Sequence, residues 1–149
     1  MSANKSKCRQ HLNQIFSIIG IALLTLSVNA NQHSVGDVTI HYNALSTANI
    51  PAEVASQYKI TRSNRTGMVN ISVMKNDKAV EANIFGNGKN LAGQLKELAF
   101  KEVREEDSVY YIATFTFTNK ETIRFDLQVQ PERKGKLIPL QFKQQLYAD

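Results

Sequence analysis

Few side chains of this sequence have types and spacings that could support chemistry, and most of them are polar groups suited to binding. His41 and Asn43 alternate with the apolar residues of one run, and Arg62, Arg65 and Asn70 follow it. Alternation places His41 and Asn43 on the face turned away from those apolar neighbours. Loops on a rigid scaffold often carry binding residues, so we predict a binding patch of these five residues. The alternative is that His41 is an ordinary strand histidine, exposed or hydrogen-bonded.

No catalytic or metal-binding group stands out beside this patch. Glu105, Glu106 and Asp107 are consecutive acids, but a glycosidase pair must flank a cleft, and acids in a turn are usually solvated. Beyond residue 30 the chain has two histidines, His33 and His41, and no cysteine, which is too few for a typical zinc site. No Gly-x-Ser-x-Gly or phosphate-loop motif is present. The sequence therefore predicts no catalytic residue, no metal and no cofactor.

Residues 1–30 differ in composition from the rest of the chain. Lys5, Lys7 and Arg9 form a basic head without acids, and residues 15–26 are uncharged and mostly apolar. Val28-Asn29-Ala30 then places small residues at the −3 and −1 positions of a cleavage site. This order predicts a secretory signal peptide that is cleaved after Ala30, and hence a periplasmic protein. The alternative is an uncleaved membrane anchor, which needs about 20 apolar residues, and this run is shorter.

Removing residues 1–30 changes the charge balance. The chain has 18 basic and 13 acidic residues, and taking away the three cations of the head leaves 15 basic residues against 13 acidic ones. Both signs are interspersed along the remainder, which is typical of a solvated surface and not of a nucleic-acid-binding stripe. We expect no nucleic acid partner and, after cleavage, no membrane contact. The one cysteine, Cys8, lies in the basic head and not at the end of the apolar run, so no lipoprotein anchor is predicted.

The rest of the chain is dominated by period-two alternation, the pattern of half-buried strands. Residues 109–118 and 123–130 both alternate, and the short polar link Thr118-Asn119-Lys120-Glu121 predicts an antiparallel hairpin at the centre of the domain. The third strand is predicted to end at Gly86-Asn87-Gly88. Over residues 91–104 a helical stripe fits as well as a strand, and we choose a strand over 95–104. The other predicted strands cover residues 36–43, 69–73, 79–85 and 138–147.

These strands predict an all-β fold. Seven short strands separated by turn residues favour a single immunoglobulin-like antiparallel β-sandwich over residues 31–149, and the alternative is a small closed barrel. Residues 44–65 form one irregular insertion after the first strand. Pro51 and Glu53 are typical of a helix start, so we predict one short helix that reaches about Tyr58. We expect the insertion to be ordered, to cover a sheet edge and to expose Arg62 and Arg65.

Several short motifs, taken in order, resemble those of one known family. They include His41-Tyr42-Asn43-Ala44, residues 67–73, Arg124-Phe125-Asp126 and Gln130-Pro131. Their order and spacing resemble an uncharacterised family of exported proteobacterial proteins called domain of unknown function 4426. The resemblance covers essentially all of the chain after residue 30. It implies a periplasmic β-rich domain, and it implies no activity.

The sequence thus favours a function without catalysis. We expect a periplasmic binding or accessory module whose partner is a protein or another component of the cell envelope. The alternative is a periplasmic enzyme that acts on an envelope substrate in a cleft lined by carboxylates and arginine. A pocket with two convergent carboxylates, or one with His41 and an acid, would indicate the enzyme. A shallow polar sheet face would indicate the binding module.

Overall fold

The computed structural model describes residues 31–148, which form a sandwich of two antiparallel β-sheets. The predicted all-β class and two-sheet layout are confirmed, and the closed barrel is wrong. The predicted signal peptide, with Cys8 and the cleavage point after Ala30, lies outside the described residues. Between residues 31 and 148 there is no helix with the length and apolar character needed to cross a bilayer.

The described residues contain ten strands, where the sequence predicted seven. In chain order they are β1 (Asn31–Val35), β2 (Val38–Ser46), β3 (Thr66–Lys75), β4 (Lys78–Ala79), β5 (Ala82–Asn90), β6 (Leu95–Glu97), β7 (Lys101–Glu105), β8 (Ser108–Thr116), β9 (Glu121–Pro131) and β10 (Ile138–Leu146). Sheet A has the order β1-β2-β3-β8-β7, with the short β4 paired to β3. Sheet B has the order β10-β9-β5-β6.

The core lies between the two sheets, and strand β9 shows how alternation builds it. Arg124 and Asp126 are exposed, whereas the intervening apolar residues have no exposed surface. The Phe125 ring stacks on Phe142 of β10, with centroids 4.7 Å apart, and meets the edge of Phe115 on β8 at 5.5 Å. Phe125 therefore joins three strands from both sheets. The fully buried set on β9 is Ile123, Phe125, Leu127 and Val129.

The predicted hairpin of residues 109–118 and 123–130 is wrong. Strand β8 pairs with β3 and β7 in sheet A, and β9 pairs with β5 and β10 in sheet B. The short link between them crosses from one sheet to the other. Phe117 in this link is buried, and its N–H donates to the Arg65 carbonyl, which holds the crossing in place. Alternation sets the faces of a strand but not its partners, so the sequence pattern fits either arrangement.

The predicted end of a strand at Gly86 is also wrong, because β5 continues through it to Asn90. Gly86 has a φ of +142°, and a Cβ at this position would overlap the carbonyl oxygen of Asp126 on β9. At Gly88 a Cβ would lie 2.8 Å from Cγ2 of Ile123. Both glycines therefore allow β5 to approach β9 closely, which is a common reason for glycine inside a strand.

The ambiguous residues 91–104 contain strand and no helix, but residues 91–94 form a turn and the strand predicted over 95–104 is two strands. Strand β6 belongs to sheet B and β7 to sheet A, so the chain changes sheets between them. Leu98 and Phe100 at the crossing pack against the core. Strand β1 was not predicted, because all of its residues are exposed and it lacks an apolar face.

The insertion between β2 and β3 is ordered and contains a 3-10 turn (Thr47–Asn49) and the predicted short helix, α1 (Ala52–Gln57). The prediction that it covers a sheet edge is wrong. It covers the outer face of sheet A, because its apolar residues pack there in a second apolar cluster. Ile50 and Ala55 pack with Met68, Tyr110 and Ile112 of β3 and β8.

Thr47 fixes the path of the insertion. Its side chain is fully buried, its hydroxyl donates to the Thr61 carbonyl at 3.0 Å, and it accepts the Ser63 N–H at 3.0 Å. These bonds tie the start of the insertion to its end.

The strands run between two ends of the sandwich. We call one the hairpin end, because the tight turns β1–β2, β3–β4 and β7–β8 lie there. We call the other the link end, because it holds the β5–β6 turn, the β8–β9 link and both termini of the insertion.

Candidate functional site

Three of the five predicted site residues share the outer face of sheet A. Val38, Ile40 and Ala44 of β2 are buried in the core, so the alternate residues His41 and Asn43 turn outward. The register places Asn43 directly opposite Asn70 of β3. It also places His41 opposite Ser72. The three side chains are half-buried and form one continuous neutral surface.

The two arginines do not join this surface. Arg62 lies in the insertion, where its Nη2 donates to the carbonyl oxygen of Ala48 at 2.9 Å. Arg65 lies just before β3 at the link end, and its carbonyl accepts the Phe117 N–H. Five residue steps separate Arg65 from Asn70, a distance of about 17 Å along an extended strand. Both arginines are exposed, as predicted, but the structure splits the predicted patch into two parts.

Asn70 is the unusual member of the neutral surface. Its Oδ1 is buried and has no hydrogen-bond partner among the described residues. Leaving a buried acceptor unpaired costs about 1–3 kcal/mol, and such atoms are few in native proteins. The neighbouring strand places the Asn43 amide directly across from it. This surface therefore contains amide groups whose hydrogen-bonding capacity the described part of the chain does not use.

His41 has no acidic partner in the sheet. Its cross-strand neighbours are Gln32 and Ser72, and the nearest residues on its own face of β2 are Thr39 and Asn43. His33 pairs with the inward-facing Ile40, so the two histidines point to opposite faces of sheet A. In residues 31–148 no three His, Cys, Asp or Glu side chains are grouped so that they could hold a metal ion.

A charged cluster that the sequence did not predict closes one side of the sandwich. Glu102 and Arg104 come from β7 of sheet A, whereas Glu81 and Arg133 flank β5 and β9 of sheet B. Arg104 Nε lies 2.6 Å from Glu102 Oε1, and Arg133 Nη1 lies 3.5 Å from Glu81 Oε2. Arg104 also pairs with Glu81, and Arg133 with Glu102. The four charges cancel and bridge the two sheets.

Tyr111 connects this charged cluster to the core. Its buried hydroxyl donates to Glu102 Oε2 at 3.1 Å and accepts the Ala82 N–H at 2.8 Å. A shallow cleft of about 440 Å³ lies beside it, lined partly by Phe85, Phe100 and Arg133. The cleft is lined by one arginine, Arg133, and one carboxylate, Glu102, so the protonation of Glu102 decides what this carboxyl can do there.

The arginines keep Glu102 ionised. Partial burial alone would raise the pKa of this carboxyl, but hydrogen bonds from Tyr111, Arg104 and Arg133 outweigh burial and hold the pKa below its ordinary value. Burial raises the pKa of Tyr111. A general acid at neutral pH needs a raised carboxyl pKa, and Glu102 has the opposite shift. This shift argues against a general-acid role for Glu102, and the ion pairs of the cluster join the two sheets.

Sequence spacing could not have revealed this cluster. Its members are spread from Glu81 to Arg133, and their meeting depends on β5, β7 and β9 being brought to one side of the sandwich. The one indication in the sequence was that Glu102 and Arg104 are two positions apart in one strand, which places both side chains on the same face.

Comparisons with known proteins agree with this fold. A crystal structure of a DUF4426 family protein, PA0388 from Pseudomonas aeruginosa PAO1, is similar with a TM-score of 0.72 and 29% identity, covering 80% of this chain and 96% of that one. A copper-bound variant of FetP from uropathogenic Escherichia coli strain F11 is similar with a TM-score of 0.55. Its identity is 11%, over 78% of this chain and 93% of that one, so the likeness concerns the fold alone.

No curated protein matches this chain by sequence. The sequence profile of the family described as domain of unknown function (DUF4426) matches residues 32–149, and the resemblance inferred from the sequence is confirmed. This match covers well over half of the chain, and the chain therefore belongs to the DUF4426 family.

Proposed function

We propose that this protein is exported, is cleaved after Ala30 and acts in the periplasm as a non-enzymatic binding module for an envelope protein. The proposed binding surface is the outer face of β1, β2 and β3 beyond the insertion. We call it the polar face, and its residues are Gln32, Thr39, His41, Asn43, Asn70 and Ser72.

The observation that carries the proposal is the open edge beside this face. Among residues 31–148, strand β1 lies at the end of sheet A and pairs with β2 alone, and its five residues are exposed. An edge strand presents unpaired N–H and C=O groups, which match the backbone of another extended polypeptide. We therefore infer a protein partner that adds a strand to β1.

The side chains next to this edge support the same partner. Ser34 Oγ and Thr39 Oγ1 lie 3.2 Å apart, and the register continues the polar surface from Gln32 to His41 and Ser72. Its amides, hydroxyls and imidazole can each hydrogen-bond to peptide groups. The unpartnered Oδ1 of Asn70 adds an acceptor for which the chain supplies no donor in residues 31–148.

The proposed processing spares the edge strand, whose described residues are Asn31–Val35. Cleavage after Ala30 would leave β1 intact and would make it the first segment of the mature chain. Arg62 and Arg65 are not part of the proposed surface, because the structure separates them from it.

The test is a pull-down from cross-linked cell envelopes, with the mature protein as bait and a photo-reactive residue in place of Gln32. We expect one dominant protein partner. The double variant His41→Ala/Asn43→Ala should weaken its capture, whereas the matched variant Gln128→Ala/Gln141→Ala on the outer face of sheet B should not. Capture of no protein, together with turnover of an envelope substrate, would favour the enzyme instead. Equal effects of both double variants would remove the polar face as the site.

A further inference from the structure

Three cations lie side by side across the outer face of sheet B. The register places Lys89 of β5 directly opposite Arg124 of β9, and Arg124 directly opposite Lys143 of β10. All three are exposed, and none of them forms an ion pair with the described residues. Like charges that face each other across strands destabilise a sheet. A row that the fold itself does not neutralise suits an anionic partner.

The row belongs to a larger positive surface at the link end. Exposed Lys120 lies in the β8–β9 link, and exposed Arg65 lies in the neighbouring segment that bonds to Phe117. Glu121 is also at this end, but its side chain is only 8% exposed and is held by Lys96 at 3.3 Å. The cations at this end are thus accessible, while this acid is not.

Most of the exposed acids among residues 31–148 lie away from the link end. Asp126 and Glu97 occupy the next row of sheet B, on the side away from the link end, so the positive surface stops there. Three tight turns of the hairpin end carry exposed acids, among them Asp37, Asp77 and Asp107. Along the sequence the two signs are interspersed, but the register of the strands places Lys89, Arg124 and Lys143 in one row with no acid directly opposite them.

Large apolar side chains are exposed at the same end. Leu91, in the β5–β6 turn, is 81% exposed, and Leu95, directly opposite Lys89, is 55% exposed. Tyr147, just after β10, is 49% exposed. Leucines beside cations suit a surface that offers both anions and hydrocarbon, and tyrosine is enriched where such a surface meets water.

We propose that the link end docks onto an anionic lipid bilayer, with the cation row on the headgroups and Leu91 and Leu95 in the upper acyl region. A soluble polyanion would match the charges but would leave the leucines in water. The proposal revises the expectation of no membrane contact, which rested on the interspersed charges of the sequence. It uses none of the residues of the polar face and does not depend on the proposed protein partner.

The test measures vesicle binding by protein that begins at Asn31, so that residues 1–30 cannot insert. Such a protein keeps the sandwich, which the PA0388 structure matches over 96% of its own length. We expect binding to vesicles that contain phosphatidylglycerol, and little binding to phosphatidylcholine alone. Each basic residue near an anionic surface raises the binding constant about fivefold. Lys89→Gln/Arg124→Gln/Lys143→Gln should therefore weaken binding about a hundredfold.

The matched control removes the same charge from the hairpin end. Lys78→Gln/Lys134→Gln/Lys136→Gln also replaces three exposed cations, and it should leave binding within a few-fold of the unmodified protein. Salt near 1 M shortens the screening length to about 3 Å and should weaken binding by the unmodified protein.

Entry of the leucine side chains into the bilayer can be measured separately from the attraction of the cations. The chain has no tryptophan, so Leu91→Trp provides a single fluorescent reporter at the link end. Leu137→Trp provides its control at the hairpin end, where Leu137 is 41% exposed. Emission of the first should shift to the blue on anionic vesicles, and emission of the second should not.

Three results would overturn the proposal. Equal losses in the two triple variants would mean that net charge alone attracts the vesicles. Equal binding to both kinds of vesicle, or no shift from either reporter, would remove the lipid surface as the partner. Binding to a soluble polyanion such as dextran sulfate, with none to vesicles, would assign the cation row to an anionic polymer.

Discussion

Replacing Phe125 by alanine should remove a large part of the stability of the domain. The ring is fully buried, stacks on Phe142 at 4.7 Å and meets Phe115 at 5.5 Å, so its loss affects both sheets. Truncating such a residue costs about 3–5 kcal/mol, in a domain whose total stability is about 5–15 kcal/mol. With a urea slope of about 2 kcal/mol per molar, the unfolding midpoint should fall by about 2 M.

The neighbouring Arg124→Ala is the matched control. Arg124 is exposed on the opposite face of the same strand, so its loss should change stability by no more than about 0.5 kcal/mol. Any change should be a gain, because Lys89 and Lys143 would each lose a like charge opposite them. Urea unfolding followed by circular dichroism measures both variants. Equal midpoints would mean that the two faces of β9 are assigned wrongly.

Three other predictions follow from the same structure. Gly86→Ala should destabilise the domain far more than Gly93→Ala in a thermal melt, because both have positive φ but only Gly86 has backbone where the Cβ would lie. Burial would raise the pKa of Glu121, but bonds from Asn90, the Thr118 N–H and Lys96 lower it, so its ionised form stabilises the fold above its ordinary pKa. That stabilisation should fade as the pH falls through the lowered pKa, and the stability gap to Glu121→Gln in urea titrations should shrink; a constant gap would contradict this. Mass spectrometry of the protein from its native host should find an N-terminus at Asn31, and retention of Met1 would contradict export.

The faces of the strands were predictable from the sequence because the side-chain period of a strand is two. The alternation of Arg124 and Phe125 correctly predicted which side chain is exposed and which is buried. Alternation alone would leave one of the neighbouring Tyr110 and Tyr111 facing water, because it treats each strand as half-buried. Both tyrosines are buried, since the insertion covers the outer face at Tyr110.

The pairing of strands was not predictable in the same way. A hairpin and a crossing between sheets can share one short polar link, and the apolar pattern on either side is the same. What distinguishes them here is Phe117, which is buried at the link and bonds to the Arg65 carbonyl of another element. That contact joins residues far apart in the chain, so no local pattern reports it.

The candidate surfaces show the same division between local and distant information. Asn43 and Asn70 were grouped from the sequence as members of one patch, and the register places them opposite each other. Arg62 and Arg65 were grouped with them only because they lie between the two strands in sequence. The bond from Arg62 to Ala48 and the position of Arg65 at the link end separate them from the polar face.

The row of cations on sheet B is the clearest consequence of register for function. Lys89, Arg124 and Lys143 are distant in sequence, and both signs of charge are interspersed along the chain after residue 30, so composition indicated an ordinary solvated surface. Antiparallel pairing of β5, β9 and β10 aligns them in one row and leaves Asp126 in the next. Because this row faces outward from sheet B and the polar face outward from sheet A, the two surfaces point in opposite directions. A protein partner on β1 would therefore not compete with a bilayer for the cation row.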